Sequence, residues 1–349
     1  MSSSVDPTDD DDSARSDDDD AVDDDDSSGR SCSLAGPCDL DGDGVESVAC
    51  GGDDCDDSDP AISPALYDLP DGRDNDCDAE VDEVEVPGSW VHLPRGAFLM
   101  GCGRGEQWCA GFAGGFLWPH EVCVDAMWLT RTEVTVGEYQ VCQDAGVCGP
   151  PTTAPQPEVV ACAHAESQGA TLPMDCVGWS QAMQYCGWLG GSLPTEAEWE
   201  RAARGPLGST FPWGEEEPDC SWTVMREGIS TDPADDGCGR GRTWPADEMV
   251  ADRSGFGLLG MGGNVTEMVL DSYNSDAYRG HRYLNPVNLV PEPASTAGPV
   301  LRGGNAAGSH IPEGQFNSFF NGWRSWLPEG SLGEPRIGFR CSRDSGPRR

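Results

Sequence analysis

The chain contains no lysine. All 21 of its basic residues are arginines, set against 62 aspartates and glutamates. A net charge of −41 argues against nucleic acid or an anionic membrane surface as partner, because both repel such a chain. Histidine is almost as scarce. Its five residues, at 92, 120, 164, 281 and 310, are scattered along the sequence, which excludes a histidine-rich metal-binding domain. No apolar run approaches the ~20 residues of a transmembrane helix. Residues 1–30 likewise offer no apolar h-region of an export leader.

The remaining composition is unevenly spread. Residues 1–88 hold 31 of the acidic groups and three of the arginines, with thirteen aspartates in the first 30 positions, whereas all twelve tryptophans lie beyond residue 88. The first part cannot bury enough apolar surface to offset the entropy of its chain; the second can. Three segments are therefore expected: a disordered Asp/Ser-rich tail or linker over 1–37, an acidic cysteine-containing metal-binding cassette over 38–86, and a folded domain over 89–343. Sixteen cysteines point to an oxidising setting, hence an extracellular, periplasmic or cell-surface location. Five of them precede residue 88 and eleven follow it. Both numbers are odd, so full oxidation requires one bridge between segments, with Cys102, Cys109 and Cys123 containing the candidate. Cys142–Cys148, Cys162–Cys176 and Cys220–Cys238 are expected as short-range pairs.

Helix signals are confined to the third segment. Thr135-Val-Gly-Glu138 and Thr195-Glu-Ala-Glu198 both read as capping boxes, in which the threonine hydroxyl and the glutamate carboxylate reciprocally satisfy amides of the first turn. Ser180 is expected to cap a third helix with Ala182, Met183, Cys186 and Leu189 on its apolar face. Beyond Gly205 the chain is rich in Gly, Pro and Trp, the pattern of short strands and ordered loops that disulfides staple.

In the second segment, Asp39-Leu-Asp-Gly-Asp-Gly44 places carboxylates at alternate positions ahead of a glycine that permits a sharp turn, so Asp39, Asp41 and Asp43 can converge on one hard cation. Position twelve of that loop is Cys50 rather than a glutamate, so it is not a complete EF-hand. Asp53-Asp-Cys-Asp-Asp-Ser-Asp-Pro60 follows, then Asp71-Gly-Arg-Asp-Asn-Asp-Cys-Asp78. Residues 39–83 resemble the MopE-type metal-binding motif, which implies ligands among Asp56, Asp57, Asp59, Asp74, Asp76 and Asp78. The chain departs from that motif at Pro70, where a cysteine is usual. This leaves Cys55–Cys77 as the expected local bridge, with Cys38–Cys50 beside it. Donors that are all oxygen favour Ca²⁺ over copper.

The third segment carries a series of ordered landmarks. Among them are Pro94-Arg-Gly-Ala-Phe-Leu-Met-Gly101, Thr132-Glu-Val-Thr-Val-Gly-Glu-Tyr139, Leu193-Pro-Thr-Glu-Ala-Glu-Trp-Glu-Arg-Ala-Ala-Arg204, Phe211-Pro-Trp-Gly214, Leu301-Arg-Gly-Gly304 and Ile337-Gly-Phe-Arg-Cys341. Residues 90–343 thereby resemble the formylglycine-generating-enzyme, or sulfatase-modifying-factor, family. The resemblance implies an α+β, C-type-lectin-like fold and a Cys186–Cys341 bridge, and Glu133, Trp199 and Trp213 are read as core and loop-packing residues. It also implies a calcium loop at 260–267, with carbonyls from Gly263 and Val265 and the carboxylate of Glu267. Gly260 stands where the family has an asparagine ligand, and Cys220 where a second family calcium site uses another.

The family's oxidases follow their Arg-Gly-Gly with a cysteine pair that holds Cu(I), a soft ion that requires thiolates. Here Gly308 occupies the position of the first, and no cysteine follows before Cys341. The expectation is an exported, non-catalytic binding or scaffold protein for a protein, peptide or glycan ligand, with a calcium-binding acidic motif and no copper. The alternatives are a divergent oxidoreductase or other protein-modifying enzyme, and a structural envelope protein.

Overall fold

Both capping boxes are formed. Thr135 accepts a hydrogen bond from the Glu138 amide and the Glu138 carboxylate in turn accepts one from the Thr135 amide, opening α1 (Val136–Asp144). Thr195 and Glu198 do the same for α3 (Glu196–Arg204). Between them, α2 (Trp179–Trp188) is capped by Gly178 rather than by Ser180, which lies inside the first turn. The extended glycine leaves its amide free to be taken by Gln181 Oε1 at 3.0 Å, so the cap is made by Gln181. Removing one cap calibrates these ends: Thr195→Ala is expected to cost ~1 kcal/mol in urea unfolding, and no change would mean that packing alone starts α3.

The computed structural model describes residues 38–41, 45–59, 62–64, 73–74, 77, 79, 81, 90–102, 119–151, 162–165, 169–228, 230–274, 277, 283–287, 289, 297–308, 319, 321–328 and 333–344. Three sheets accompany the helices. β1 (Trp90–Leu93), β4 (Met127–Thr130) and β10 (Ser342–Arg343) form an antiparallel sheet with β4 in the middle. β2 (Gly96–Met100) pairs with β3 (His120–Val124), and the short β6 (Tyr283–Leu284) runs parallel to β3. The largest sheet has the order β8-β7-β5-β9, from β8 (Arg324–Pro328), β7 (Ala297–Arg302), β5 (Thr266–Ser272) and β9 (Ile337–Gly338). This mixed, loop-rich α+β arrangement is C-type-lectin-like.

One apolar cluster packs β1–β4 against α3 through Leu93, Val122, Met127, Leu129, Trp199 and Phe256. A second joins α1 and α2 to β5 and β9 through Tyr139, Tyr185, Met268 and Phe339. Burial at this scale is the main stabilising term. Disulfides add to it. Cys186–Cys341 joins α2 to the chain just before β10 across 155 residues, and Cys142–Cys148, Cys162–Cys176 and Cys220–Cys238 close shorter loops. Cys102 and Cys123 are also disulfide-bonded. No helix among the described residues is long and apolar enough to cross a membrane.

Candidate functional site

The acidic cassette is built as two bridged loops, Cys38–Cys50 and Cys55–Cys77. Asp54 lies at their junction. Its backbone bonds to Glu46 and Val48, and its side chain is only 2% exposed. Asp54 Oδ1 accepts from the Asp56 amide at 2.9 Å, while Oδ2 is buried without a partner. Burial raises the Asp54 carboxyl above its ordinary value, and the charges of Asp57, Asp56 and Asp39 push it the same way.

The described aspartates singled out from the sequence divide into two sets. Asp39, Asp41 and Asp57 each bring a carboxylate oxygen within 4.8 Å of the others, and Leu40 donates its amide to Asp57 Oδ1 at 2.8 Å. The other three serve local structure. Asp56 Oδ1 accepts from the Ser58 hydroxyl at 2.6 Å, Asp59 pairs with Arg73, and Asp74 Oδ2 accepts from the Ala79 amide at 3.0 Å. Asp43, Asp76 and Asp78 lie outside the described residues.

In the main domain, the landmark residues of α3 form a buried chain of charge. Arg324 binds Glu196 through two hydrogen bonds of 2.7 and 2.8 Å. Arg302 bridges Glu196 and Glu200 at 3.1 and 2.6 Å, and Arg204 holds the other oxygen of Glu200 at 2.8 Å. All five side chains are nearly inaccessible. Burial alone would raise the Glu200 carboxyl, but Arg302 and Arg204 hold it below its ordinary value.

The turn at 260–267 sits against a second buried network. Gly262 and Gly263 donate their amides to Asp252 at 2.9 and 3.0 Å, and Thr223 donates its hydroxyl to the same carboxylate. Asn264, at φ +64°, accepts from the Trp244 amide at 2.8 Å and donates to Glu133 Oε1 at 3.0 Å. Glu267 is 1% exposed and engaged on both oxygens: Arg340 donates to it from Nε and Nη2 at 2.7 Å, and Trp199 Nε1 donates at 2.7 Å. Of the three residues that the resemblance implies as calcium ligands, Gly263 and Val265 thus flank Asn264 in the turn, and Glu267 faces a guanidinium.

Among the described residues Glu133 has no such counter-ion in contact. Its Oε2 is buried without a partner, and burial pushes its carboxyl up to about 8, with the charge of Arg340 opposing and that of Glu267 adding. Gly260 is at φ +69°, and a Cβ there would stand 2.6 Å from the Glu133 carboxylate. No side chain fits at position 260 unless Glu133 moves. Asp252, also fully buried, is raised to about 6.

Gly308, the position of the missing thiolate, is tied into the backbone. Its amide donates to Asn305 Oδ1 at 3.1 Å, and its carbonyl accepts from the Arg226 amide at 2.8 Å. Asn305 Nδ2 donates to Thr266 Oγ1 at 3.0 Å, and Ala306 bonds to Asn264 and Gly237. The only other metal-type group among the described residues, Cys162, Asp175 and Cys176, offers no thiolate, because its two sulfurs are bonded to each other. His310 and Ser309 fall outside the described residues.

A C-type-lectin-like α+β scaffold, knitted by buried Arg–Glu pairs behind an acidic cassette, defines a sulfatase-modifying-factor-like protein. The chain belongs to the sulfatase-modifying factor enzyme 1-like domain family, which matches residues 77–345. The MopE-type metal-binding motif matches residues 54–83. Among curated relatives, the formylglycine-generating enzyme of Mycobacterium tuberculosis is 31% identical over 177 residues, covering 49% of this chain and 57% of that protein. Its Streptomyces coelicolor counterpart is 34% identical over 183 residues, 50% and 53% of the two chains. The inactive C-alpha-formylglycine-generating enzyme 2 of Mus musculus is 38% identical over 104 residues, 29% and 33%. The chain therefore spans about half the length, or less, of the curated relatives it matches. Among solved structures, PvdO from Pseudomonas aeruginosa superposes with a TM-score of 0.56 at 25% identity, covering 73% of this chain and 93% of PvdO.

Proposed function

We propose that the protein is an exported, non-catalytic member of its family: a disulfide-stapled module that binds a protein, peptide or glycan and is carried on a calcium-binding acidic cassette. The observation that carries the non-catalytic part is Gly308. Oxidation of a cysteine by the family's route requires thiolates for copper, and here the position is a glycine whose amide and carbonyl are both held by neighbouring residues. Every described cysteine is disulfide-bonded. Glu196, Glu200 and Arg204 of α3 are engaged in the buried charge chain, so their presence speaks for the scaffold rather than for chemistry.

The export reading rests on the disulfides, which persist in oxidising compartments. Calcium rests on the donor set. Carboxylates and carbonyls suit a hard cation, and the Asp39, Asp41 and Asp57 oxygens supply three of them. The turn at 260–267, with Gly263, Val265 and Glu267, is the other place the resemblance offers, but both Glu267 oxygens there are engaged by Arg340 and Trp199, so the cassette is the place we favour.

The test is metal analysis of the folded, oxidised protein after equilibration with Ca²⁺ and, separately, Cu(I), paired with an oxidase assay on cysteine peptides. Bound calcium, no copper and no turnover are expected. Stoichiometric copper or iron, or any formylglycine product, overturns the non-catalytic reading.

A further inference from the structure

We propose that the outer face of the β1-β4-β10 sheet binds a short acidic glycan: the carboxylate of a uronate pairs with Arg343, and the sugar rings lie against the aromatic side chains beside it. This rests on the binding-module reading above, and it names the class of ligand and the place that takes it.

Strand alternation sorts the residues of this sheet. Val91, Leu93, Met127 and Leu129 are buried in the first apolar cluster. Trp90, His92, Trp128 and Arg343 occupy the alternate positions and are partly exposed. His92 and Arg343 are the Cα partners of Trp128 on its two sides, so these residues form a row across the sheet. The His92 and Trp128 rings are 4.9 Å apart, and the Arg343 guanidinium lies 3.6 Å from the Trp90 ring centroid. None of them belongs to the turn at 260–267 or to the segment around Gly308.

Arg343 is the residue that points to a ligand. Arg324 and Arg340 hold Glu196 and Glu267 through the guanidinium edge formed by Nε and Nη2, whose two donors match the two oxygens of a carboxylate. In Arg343 both atoms of that edge are buried without a hydrogen-bond partner. Burial lowers its pKa, and no carboxylate opposes the shift. Unmade hydrogen bonds of a buried charged group are costly, and a carboxylate brought to this edge removes the cost. The backbone beneath is fixed, because Ser342 and Ser192 exchange amide–carbonyl bonds of 2.8 and 2.9 Å. The side chain itself is held by stacking on Trp90 and is long enough to turn its edge toward an arriving ligand.

The face suits a sugar better than a peptide. Indole and imidazole rings offer flat apolar surface to the C–H face of a pyranose, and one guanidinium suits one carboxylate. An acidic peptide brings several charges toward a chain of net charge −41. A glycan with a single uronate brings one, and at physiological ionic strength exposed charges more than ~8 Å away are largely screened.

The experiment is titration calorimetry on the full, oxidised chain with three probes: xylotriose carrying one glucuronate, neutral xylotetraose, and triaspartate. The acidic glycan is expected to bind, and the neutral one to bind ~10-fold more weakly or worse, the usual effect of losing hydrogen bonds to a charged group. Arg343→Met should weaken the acidic glycan by the same factor and leave the neutral one unchanged. Arg343→Lys keeps the charge without the two-donor edge and should restore only part of the loss; it also carries the test should Arg343→Met fail to fold. Equal binding of the two glycans, or acidic-glycan binding unchanged in both variants, overturns the proposal. Triaspartate binding more tightly than the acidic glycan replaces the sugar with an acidic peptide and overturns it too. A parent chain that binds none of the probes overturns the proposal while leaving the binding-module reading intact, whereas formylglycine product in the oxidase assay above overturns that reading instead.

Discussion

Replacing Arg340 with methionine is expected to destabilise the oxidised protein by ~3–5 kcal/mol, the usual cost of stranding a buried charge. Arg340 is fully inaccessible. It donates to Glu267 from two nitrogens, and also to the carbonyls of Thr130, Arg131 and Leu259 at 3.1, 3.2 and 2.8 Å. One side chain therefore ties the end of β4 and the Leu259 turn to β5. Methionine fills much of the volume but takes a donor from the carbonyls of Thr130 and Leu259, leaves the Arg131 carbonyl with the Leu259 amide alone, and leaves Glu267 with only Trp199 as donor. Urea unfolding with the disulfides intact measures the loss. Adding Glu267→Gln to the variant removes the stranded charge and should recover a large part of it. A single-variant loss below ~1 kcal/mol would mean that water reaches Glu267 and that the pair behaves as a surface ion pair.

The second large effect is one of pH. Glu133 has an ordinary pKa of 4.5 that burial raises to about 8. Below pH 4.5 the folded and unfolded chains both hold the proton, and the group's contribution to stability is fully present. As pH rises from 4.5 to 8 the unfolded chain releases its proton while the folded one keeps it, so stability falls by up to ~1.4 kcal/mol per pH unit. Between pH 5 and 8 this amounts to at most ~4 kcal/mol. Glu133→Gln mimics the protonated acid, with Oε1 still accepting from Asn264, and removes the dependence.

In chelator, the variant should match the parent near pH 4.5 and exceed it increasingly toward pH 8. Asp175 and Asp252 are both raised to about 6, chiefly by burial, and lose stability over a lower pH range. They are common to both proteins, so the difference between the two curves isolates Glu133. Parallel curves across that range would mean that the Glu133 carboxyl is solvated.

What the sequence made legible was local. The capping boxes at Thr135 and Thr195 are complete within four residues, and both were readable. Ser180 was not the cap, because a glycine N-cap with a returning Gln181 leaves no side-chain signature at the cap itself. Short-range disulfides could be read from spacing, since neighbouring cysteines have few alternatives. The buried charge chain was invisible for the opposite reason. Arg302 and Arg324 meet Glu196 across 106 and 128 residues, and no periodicity links them.

The same distance hid the partner of Glu267. The residue stands out in the motif, but the guanidinium that engages it lies 73 residues away. Asp252 was missed altogether. The signal that could have found it was the Gly262-Gly263 pair, whose adjacent amides need an acceptor once buried. In the cassette, alternate spacing pointed to Asp39, Asp41 and Asp43 and the motif resemblance implied six more aspartates, without ranking them. Only the fold distinguishes those that converge, such as Asp57, from those consumed by a turn, such as Asp56.

The two bridges of the cassette also set its mechanics. An unbridged chain drawn taut from Cys38 to Cys77 would reach ~130 Å. With Cα–Cα distances of 5.7 and 5.9 Å across the two disulfides, tension instead runs through the sulfurs and through the five-residue step from Cys50 to Cys55, a path of only ~30 Å. Under load this segment yields almost no length, so a force applied on one side of it reaches the other with little slack to absorb it.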